Sequence, residues 1–344
     1  RFYAGEEIDT GVFVTNDDEQ FRDRQRLSLR AVFVDATTKK EIAATDAGMI
    51  DRLPYYATIR QPLRLRVPPV RDPRIALNLE LRLTEGTREV SRTHDKVEVF
   101  AQPTRPTAPA TNSRAATLSV GPALRQVISE AQVFQQVVDD LPADSDPSRS
   151  VLFVGATAAM KDLGPGGRVR ALVERGATAV LLSPGKNAVD LFPNDVLSVR
   201  AVTGEYADFA PSVGSPLTAG LRPMDIKWWG RKDDWRVFVA SSAHRLKPGG
   251  AARELIRFIP AHSYIAAERV PDQYQTVLFE IPVGRGRVWV CDLDLEASVA
   301  VDPAARLFAL NLLRAAADPS STTTLPVVPS HQESLAGRRK PTVK

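Results

Sequence analysis

The sequence has one cysteine, Cys291, among its 344 residues. A single cysteine excludes an intrachain disulfide and a cysteine-based zinc cluster. Cys291 lies in an apolar run, where a free cysteine usually behaves as a small hydrophobic side chain. Histidine is also scarce, and no two of the four histidines have the i, i+4 spacing of a helical metal site. We therefore expect no metal and no other cofactor.

Long apolar runs and a large excess of charge of one sign are absent as well. No stretch of about 18 apolar residues occurs, so the sequence predicts no membrane-spanning helix. Lys and Arg number 45 against 41 Asp and Glu, and they are scattered along the chain. Nucleic-acid-binding proteins usually concentrate basic residues on one face, so we expect neither nucleic acid nor a membrane as partner. The start at Arg1-Phe2-Tyr3, without an initiator methionine, predicts a processed or excised boundary.

Residues 1–102 have the pattern of an all-β domain. Five segments alternate apolar and polar residues, as strands with one buried face do. Turn-forming residues separate these segments, and the spacing is typical of an immunoglobulin-like β-sandwich. The predicted strands are Ile8–Thr15, Leu27–Val34, Leu63–Val67, Ile75–Leu83 and Lys96–Phe100.

The rest of the chain changes character after a spacer. Residues 103–114 predict a proline-rich linker, because three prolines among Thr, Ala and Asn favour an extended chain. Residues 115–318 alternate helical patterns with short apolar strands, which indicates a parallel sheet covered on both faces. We interpret this region as an α/β three-layer domain of the flavodoxin-like or amidotransferase-like type. Residues 319–344 are rich in Ser, Thr and Pro and predict a flexible tail.

Apolar spacing places individual elements in the α/β region. Gly176 is expected to end a helix with a positive φ angle, and two glycines favour a tight hairpin between the last two strands. The predicted helices are Val127–Leu141, Gly167–Arg175 and Pro303–Ala317. The predicted strands are Ser150–Val154, Ala179–Leu182, Arg236–Ala240, and the hairpin strands Thr276–Ile281 and Arg287–Asp292.

Three stretches carry a resemblance to a known family. They are Phe2–Glu7 followed by Val12–Asp17; Pro216–Leu221 with Asp225 and Trp228-Trp229; and the late hairpin with Asp302–Arg306 and Asn311–Arg314. The first resembles the opening of the β-sandwich that follows the catalytic barrel in family 2 glycoside hydrolases, the β-galactosidase and β-mannosidase group. The other two resemble an amidotransferase-like C-terminal domain appended to some of those enzymes.

The resemblance implies that the catalytic glutamates belong to a barrel upstream of Arg1. No eight-fold strand–helix repeat occurs in this sequence. Retaining glycosidases need two carboxyl groups about 5 Å apart, whereas Glu6, Glu7, Asp17 and Asp18 are interpreted as acids of solvated turns. The implied role is a non-catalytic C-terminal portion of a glycosidase, located in the periplasm or outside the cell by family analogy. Its implied partners are the upstream barrel, in the same chain or as a companion subunit, and further copies of the chain.

One serine has part of the context of a hydrolase nucleophile. Ser183 follows the predicted strand Ala179–Leu182, and such a nucleophile belongs at a sharp strand–helix turn with a histidine in reach. Leu181 replaces the leading glycine of the usual motif, and Pro184 removes an N–H that would form half of an oxyanion hole. A plain strand-end loop is the favoured interpretation, and a self-contained serine hydrolase stays open as an alternative.

The paired tryptophans are the best candidates for ligand binding. The rings of Trp228 and Trp229 could stack on the C–H faces of a sugar, and Asp233 or Asp234 could accept hydrogen bonds from its hydroxyls. The competing interpretation places one tryptophan in the core and the other over a domain seam. A carbohydrate-binding module therefore stays open as another alternative to the accessory role.

Overall fold

The computed structural model describes residues 1–103, 111–140, 145–202, 207–211, 214–230, 239–260 and 275–318, with only the backbone described for 207–211 and 259–260. The chain divides into two compact units, Arg1–Thr104 and Arg105–Lys344, each of which is described by itself. The limits of the domains, linker and tail stay predictions. Within the described residues, no helix is long and apolar enough to cross a membrane.

The first unit is built from strands in two sheets. Its strands are β1 (Phe2–Tyr3), β2 (Glu7–Thr15), β3 (Arg24–Asp35), β4 (Glu41–Leu53), β5 (Thr58–Arg66), β6 (Arg74–Glu85) and β7 (Arg88–Phe100). One sheet has the order β1-β7-β6-β3-β4, and β2 pairs with β5 in the other. All these pairs are antiparallel except β1 with β7.

The core of the first unit lies between its two sheets. Leu63 and Leu65 of β5 pack with Phe33 of β3 and Leu77 of β6 in one buried cluster. The alternation of apolar residues supplies this contact, because every second side chain of a strand points to the same face. The unit is therefore a β-sandwich, and all five strands predicted from the sequence are present. The immunoglobulin-like type stays a prediction.

Strand β4 was not predicted, and a bulge explains why. The pairing of β3 with β4 shifts register between the Ser28–Met49 and Arg30–Asp46 pairs. Gly48 lies at this shift with φ of 100°, a conformation that glycine adopts without steric cost. An extra residue in a strand interrupts the two-residue period on which a sequence-based prediction depends.

The second unit combines a mixed sheet with short helices. Its strands are β8 (Arg114–Leu118), β9 (Gln136–Val138), β10 (Ser150–Gly155), β11 (Thr178–Leu182), β12 (Val196–Ala201), β13 (Ala207–Pro211), β14 (Ser242–Leu246), β15 (Arg253–Pro260), β16 (Gln275–Val283) and β17 (Gly286–Cys291). Its helices are α1 (Pro122–Glu130), α2 (Ala156–Leu163), α3 (Arg168–Glu174), α4 (Asn187–Leu191), α5 (Pro223–Lys227), α6 (Leu295–Ser298) and α7 (Pro303–Ala317).

The centre of this sheet is parallel, with the order β9-β8-β10-β11-β17. Strands β16, β14 and β12 continue the sheet beyond β17 in antiparallel pairs, and β15 joins β13 to β16. Every residue of β10 and β11 is buried, as expected for strands with both faces covered. Because the five central strands are parallel, their carboxyl ends lie at one edge of the sheet and their amino ends at the other.

Two predicted helix signals are confirmed. Helix α7 begins at Pro303 and ends at Ala317, and the Asp302 side chain caps it by accepting the N–H of Ala304 at 2.8 Å. Helix α3 is followed by Gly176 with φ of 124°. Both signals are local, because they depend on residues within one turn of the helix end.

The predicted helix Val127–Leu141 is wrong over its second half. Helix α1 ends at Glu130, and β9 follows at Gln136–Val138. Gln132 has φ of 48°, which breaks the helix and sends Val133 and Phe134 into the core. The predicted strand Arg236–Ala240 lies mostly outside the described residues, and Ala240 forms an isolated antiparallel bridge with Leu293.

Candidate functional site

The carboxyl ends of the parallel strands bring several polar residues to one edge of the second unit. Ser119 follows β8, Ser183 follows β11 and Asp292 follows β17. In open α/β sheets, ligands and catalytic groups gather at this edge. We therefore take it as the candidate functional site.

Ser183 lies at a sharp turn between β11 and α4. Its φ is 46°, which is uncommon for a residue other than glycine, and its side chain is exposed. Its N–H donates to the carbonyl oxygen of Cys291 at 2.8 Å, which ties the turn to the end of β17. An exposed serine on a strained strand-to-helix turn has the geometry of a hydrolase nucleophile. Pro184 follows it and has no N–H to offer an oxyanion.

His244 and Asp292 form a buried pair next to this turn. Both have 0% of their surface exposed, and the imidazole Nε2 of His244 shares a hydrogen bond with Asp292 Oδ2. The other carboxylate oxygen, Oδ1, accepts the N–H of Gly185 at 3.3 Å. The pair thus joins β14, the end of β17 and the turn after β11. The sequence indicated Ser183 as a candidate but gave no indication of Asp292, although Asp292 directly follows the apolar run of β17.

The three groups do not make a connected triad. In the part of the chain that the structure describes, Ser183 has no hydrogen bond to His244, and His244 Nδ1 is buried without a hydrogen-bond partner. A nucleophile of this class needs its base within hydrogen-bond reach. The arrangement holds the turn in place, and it does not activate the Ser183 hydroxyl in this conformation.

Cys291 is not an alternative nucleophile. The thiol is fully buried in β17, and burial raises its pKa to about 12. The thiolate is the reactive form of cysteine, and burial in apolar surroundings suppresses it.

The N-terminus of α1 at the same edge is occupied by a carboxylate of the chain itself. Glu296 Oε1 accepts the N–H of Ala123 at 2.9 Å, and Oε2 accepts the N–H of Leu124 at 3.0 Å. A Cβ atom at Gly121 would lie 2.2 Å from Glu296 Cδ, so glycine is needed for this approach. Helix N-termini attract anions through their free N–H groups and the helix dipole. Glu296 takes this place and leaves no room there for a ligand phosphate.

The tryptophans predicted to bind a sugar have different environments. Trp229 is 1% exposed, donates its indole N–H to the carbonyl oxygen of Asp225 at 2.7 Å, and packs against Phe308. It is a core residue, so the sugar-stacking role does not apply to Trp229. Trp228 is half-buried with Lys227 Nζ 5.8 Å from its ring centroid, and its binding role stays a prediction. Asp233 and Asp234 lie outside the described residues.

The other groups considered for chemistry are dispersed. His94 is exposed on β7 of the first unit, whereas His262 and His331 lie outside the described residues. Asp18 accepts the N–H of Gln20 at 2.9 Å and pairs with Arg24 at 3.0 Å, but its side chain is only 7% exposed, so it is not the solvated acid that the sequence predicted. Among the described residues, no three His, Cys, Asp or Glu side chains are grouped so that they could hold a metal ion.

No family model and no curated protein matches the sequence. Solved structures overlap with parts of it at low identity. The β-galactosidase from Rahnella sp. R3 is 13% identical, with 63% of this chain and 32% of that chain covered and a TM-score of 0.35. The exo-β-1,4-mannosidase Op5Man5 from Opitutaceae bacterium strain TAV5 is 13% identical, with 60% and 36% covered and a TM-score of 0.32.

A putative ThuA-like protein from Bacteroides uniformis ATCC 8492 overlaps with this chain over most of its own length. It is 11% identical, with 61% of this chain and 92% of that chain covered and a TM-score of 0.32. This chain thus spans about a third of the length of the β-galactosidase and the mannosidase. Likenesses at these TM-scores do not define a fold family.

Proposed function

We propose that this chain is a non-catalytic C-terminal portion of a glycoside hydrolase related to family 2, which supports a catalytic barrel or mediates contacts between copies. The three stretches named in the sequence, which begin at Phe2, at Pro216 and at the late hairpin, are the basis for the family. The order of the parallel strands, 2-1-3-4-5 in their sequence along the chain, supports a flavodoxin-like second unit.

One observation carries the non-catalytic part of the proposal. The buried His244–Asp292 pair holds the turn after β11 through Gly185, and it makes no hydrogen bond to Ser183 in the described part of the chain. Pro184 has no N–H to offer an oxyanion, and Glu296 occupies the N-terminus of α1. The polar groups at this edge therefore contact other parts of the chain instead of a substrate. These contacts favour a structural role for this edge of the sheet over a catalytic role.

The test is the size and activity of the native polypeptide that carries this sequence. An antibody raised against the recombinant chain would isolate it, and the isolate would be assayed on a panel of 4-nitrophenyl glycosides. We expect a polypeptide or complex larger than 37.6 kDa that hydrolyses at least one glycoside, while the recombinant chain hydrolyses none. A native polypeptide of 37.6 kDa, without a companion chain or glycosidase activity, contradicts the proposal.

The positive φ of Ser183 favours a second candidate, a self-contained ester or amide hydrolase. The recombinant chain would be assayed on 4-nitrophenyl acetate beside its Ser183→Ala and Ser119→Ala variants. Ser119 is the matched control, because it is exposed at the end of β8 with φ of 53°. Turnover lost only in Ser183→Ala would establish the hydrolase, whereas equal background rates in all three proteins favour the accessory role.

A further inference from the structure

The opposite edge of the second unit contains a cavity of about 320 Å³ lined by arginines. It lies at the amino ends of β8, β10, β11 and β17, away from Ser183 and Asp292. Arg149, Arg175, Arg285 and Arg287 line it, together with Ser113, Ser150 and Thr178. No aspartate or glutamate is among the described residues that line the cavity.

The four arginines come from three segments of the chain. Arg149 ends a 3-10 turn before β10, and Arg175 follows α3. Arg285 is in the turn of the β16–β17 hairpin, and Arg287 is in β17. Three segments that are far apart in the sequence thus bring arginines to one cavity, which indicates a site and not a single charged stretch of chain.

Arg287 provides a fixed cation at the base of the cavity. It is 3% exposed; its Nε donates to Thr178 Oγ1 at 3.1 Å, and its Nη2 donates to the carbonyl oxygen of Asp318 at 3.1 Å. Its guanidinium lies 4.9 Å from the ring centroid of Trp289. Glu280 lies 3.6 Å away, but this carboxylate also binds Arg253. Burial lowers the pKa of Arg287, whereas Glu280 and Asp318 raise it.

The backbone around the cavity is held tightly. The N–H of Arg285 donates to the Glu174 carbonyl oxygen at 3.0 Å, and the N–H of Arg287 donates to the Ala177 carbonyl oxygen at 3.2 Å. A Cβ atom at Gly284 would lie 2.6 Å from the Glu174 carbonyl oxygen, so the hairpin turn lies directly against the end of α3. These contacts fix the backbone that carries Arg175 and Arg285 before any ligand arrives.

The charges around the cavity are unevenly compensated. Arg149 has Asp146 at 3.9 Å, and Arg287 has both Glu280 and Asp318 nearby. Arg175 and Arg285 are exposed, and neither has an ion pair within the described residues. Like charges placed together repel, and an anion that binds between them removes this repulsion. Guanidinium groups bind phosphate and sulfate oxygens in pairs of parallel hydrogen bonds.

We propose that this cavity binds a tetrahedral oxyanion group, a phosphate or sulfate, with Arg175 and Arg285 at its entrance and Arg287 at its base. The group is either a free inorganic ion or the charged end of an ester. The site does not depend on the proposed accessory role, because it uses the other edge of the sheet and needs no catalytic barrel.

The full chain would be titrated with inorganic phosphate, with chloride used to keep the ionic strength constant. Binding would be measured by calorimetry and by the NMR chemical shifts of the arginine Nε–H groups. Phenyl phosphate is the ester probe, and sulfate is a second inorganic probe. The double variant Arg175→Gln, Arg285→Gln should bind about tenfold more weakly, since it removes two charged donors. Both positions are exposed, so this variant should fold as the parent does.

Arg88→Gln is the matched control, because Arg88 is also exposed beside a hairpin turn but lies in the first unit. It should bind phosphate as the parent does. Tighter binding of phenyl phosphate than of inorganic phosphate would indicate an esterified ligand, and equal binding a free ion. Shifts that do not saturate, or saturable binding that the double variant retains unchanged, would overturn the proposal.

Discussion

Asp292 and His244 share a hydrogen bond in the interior of the second unit, although 47 residues separate them in the sequence, and neither side chain has exposed surface. Asp292 also accepts the N–H of Gly185, so one carboxylate holds a strand and a turn together. Buried polar groups of this kind stabilise a fold only while all their partners are present.

Replacement of Asp292 should therefore be costly. Asp292→Ala leaves the buried His244 ring and the half-buried Gly185 N–H without their shared partner, and we expect a loss of about 3 kcal/mol in the free energy of unfolding. Urea denaturation followed by tryptophan fluorescence measures this loss. Ser183→Ala is the control, because its exposed hydroxyl should matter by less than about 0.5 kcal/mol. A loss below about 1 kcal/mol for Asp292→Ala would show that the pair is not structural.

The carboxylate at the start of α1 should act as a helix cap. Glu296→Ala removes the acceptor of two N–H groups and a negative charge near the helix N-terminus, so we expect a loss of about 1.5 kcal/mol. Glu174→Ala is the comparison, since Glu174 forms an exposed i, i+4 pair with Arg170 worth about 0.4 kcal/mol. Equal losses of unfolding free energy in the two variants would mean that Glu296 contributes no more than a surface charge.

Two hairpin glycines allow the stability cost of a positive φ to be distinguished from the cost of a steric clash. Gly284 and Gly86 have φ of 60° and 63°, but a Cβ at Gly284 would lie 2.6 Å from the Glu174 carbonyl oxygen and one at Gly86 would have no atom within 4 Å. Gly86→Ala should cost about 1 kcal/mol through its positive φ. Gly284→Ala should cost at least about 2 kcal/mol more, because the turn must move away from α3. Thermal unfolding of both variants measures the two losses of stability. Equal losses would mean that the turn at Gly284 can move away from α3 without cost.

The first unit should lose stability in acid. The N–H of Tyr55 and then the Arg52 guanidinium lower the pKa of Asp23, and the N–H of Gln25 and Arg24 lower the pKa of Glu85. A carboxyl group whose pKa is lower in the folded state binds fewer protons there than in the unfolded chain. Its contribution to the free energy of unfolding is therefore present above the pKa that the group has in the unfolded chain. This contribution is lost as the pH falls through the pKa of the folded state, below about pH 4.

The measurement is the urea midpoint of the full chain by circular dichroism across this pH range. The midpoint of the parent should fall as the solution is acidified, and that of Asp23→Asn should fall less because one of the titrating groups is gone. Parallel curves for the two proteins would show that Asp23 does not contribute to the acid sensitivity.

Much of the fold was predictable where the signal is local. The strict alternation at Ile75–Leu83 predicts a strand that the structure contains, and Asp302-Pro303 marks the start of α7. Val127–Leu141 shows the limit of such signals, because apolar residues at helical spacing also suit a short helix, a turn at Gln132 and a strand. Strand β4 was missed because the bulge at Gly48 interrupts its period.

The candidate site was predictable only in part. Ser183 follows an apolar run, so its place at a strand end could be inferred, but the hydrogen bond from its N–H to the Cys291 carbonyl oxygen depends on β11 pairing with β17. The burial of Trp229 depends in the same way on Phe308 of α7, which packs against it from a distant part of the chain. Neither contact has a signature in the sequence near the residue concerned.

The amino-acid sequence by itself determined five alternating strands of the first unit, the start of α7, the end of α3 and the tight turn before β17, because these depend on residues within a few positions of one another. It also determined the single cysteine and the balanced overall charge. Only the tertiary structure decided which strands pair, which carboxylate meets His244, and that Arg149, Arg175, Arg285 and Arg287 surround one cavity. Such contacts join residues far apart in the chain, and the packing of the whole sheet selects them.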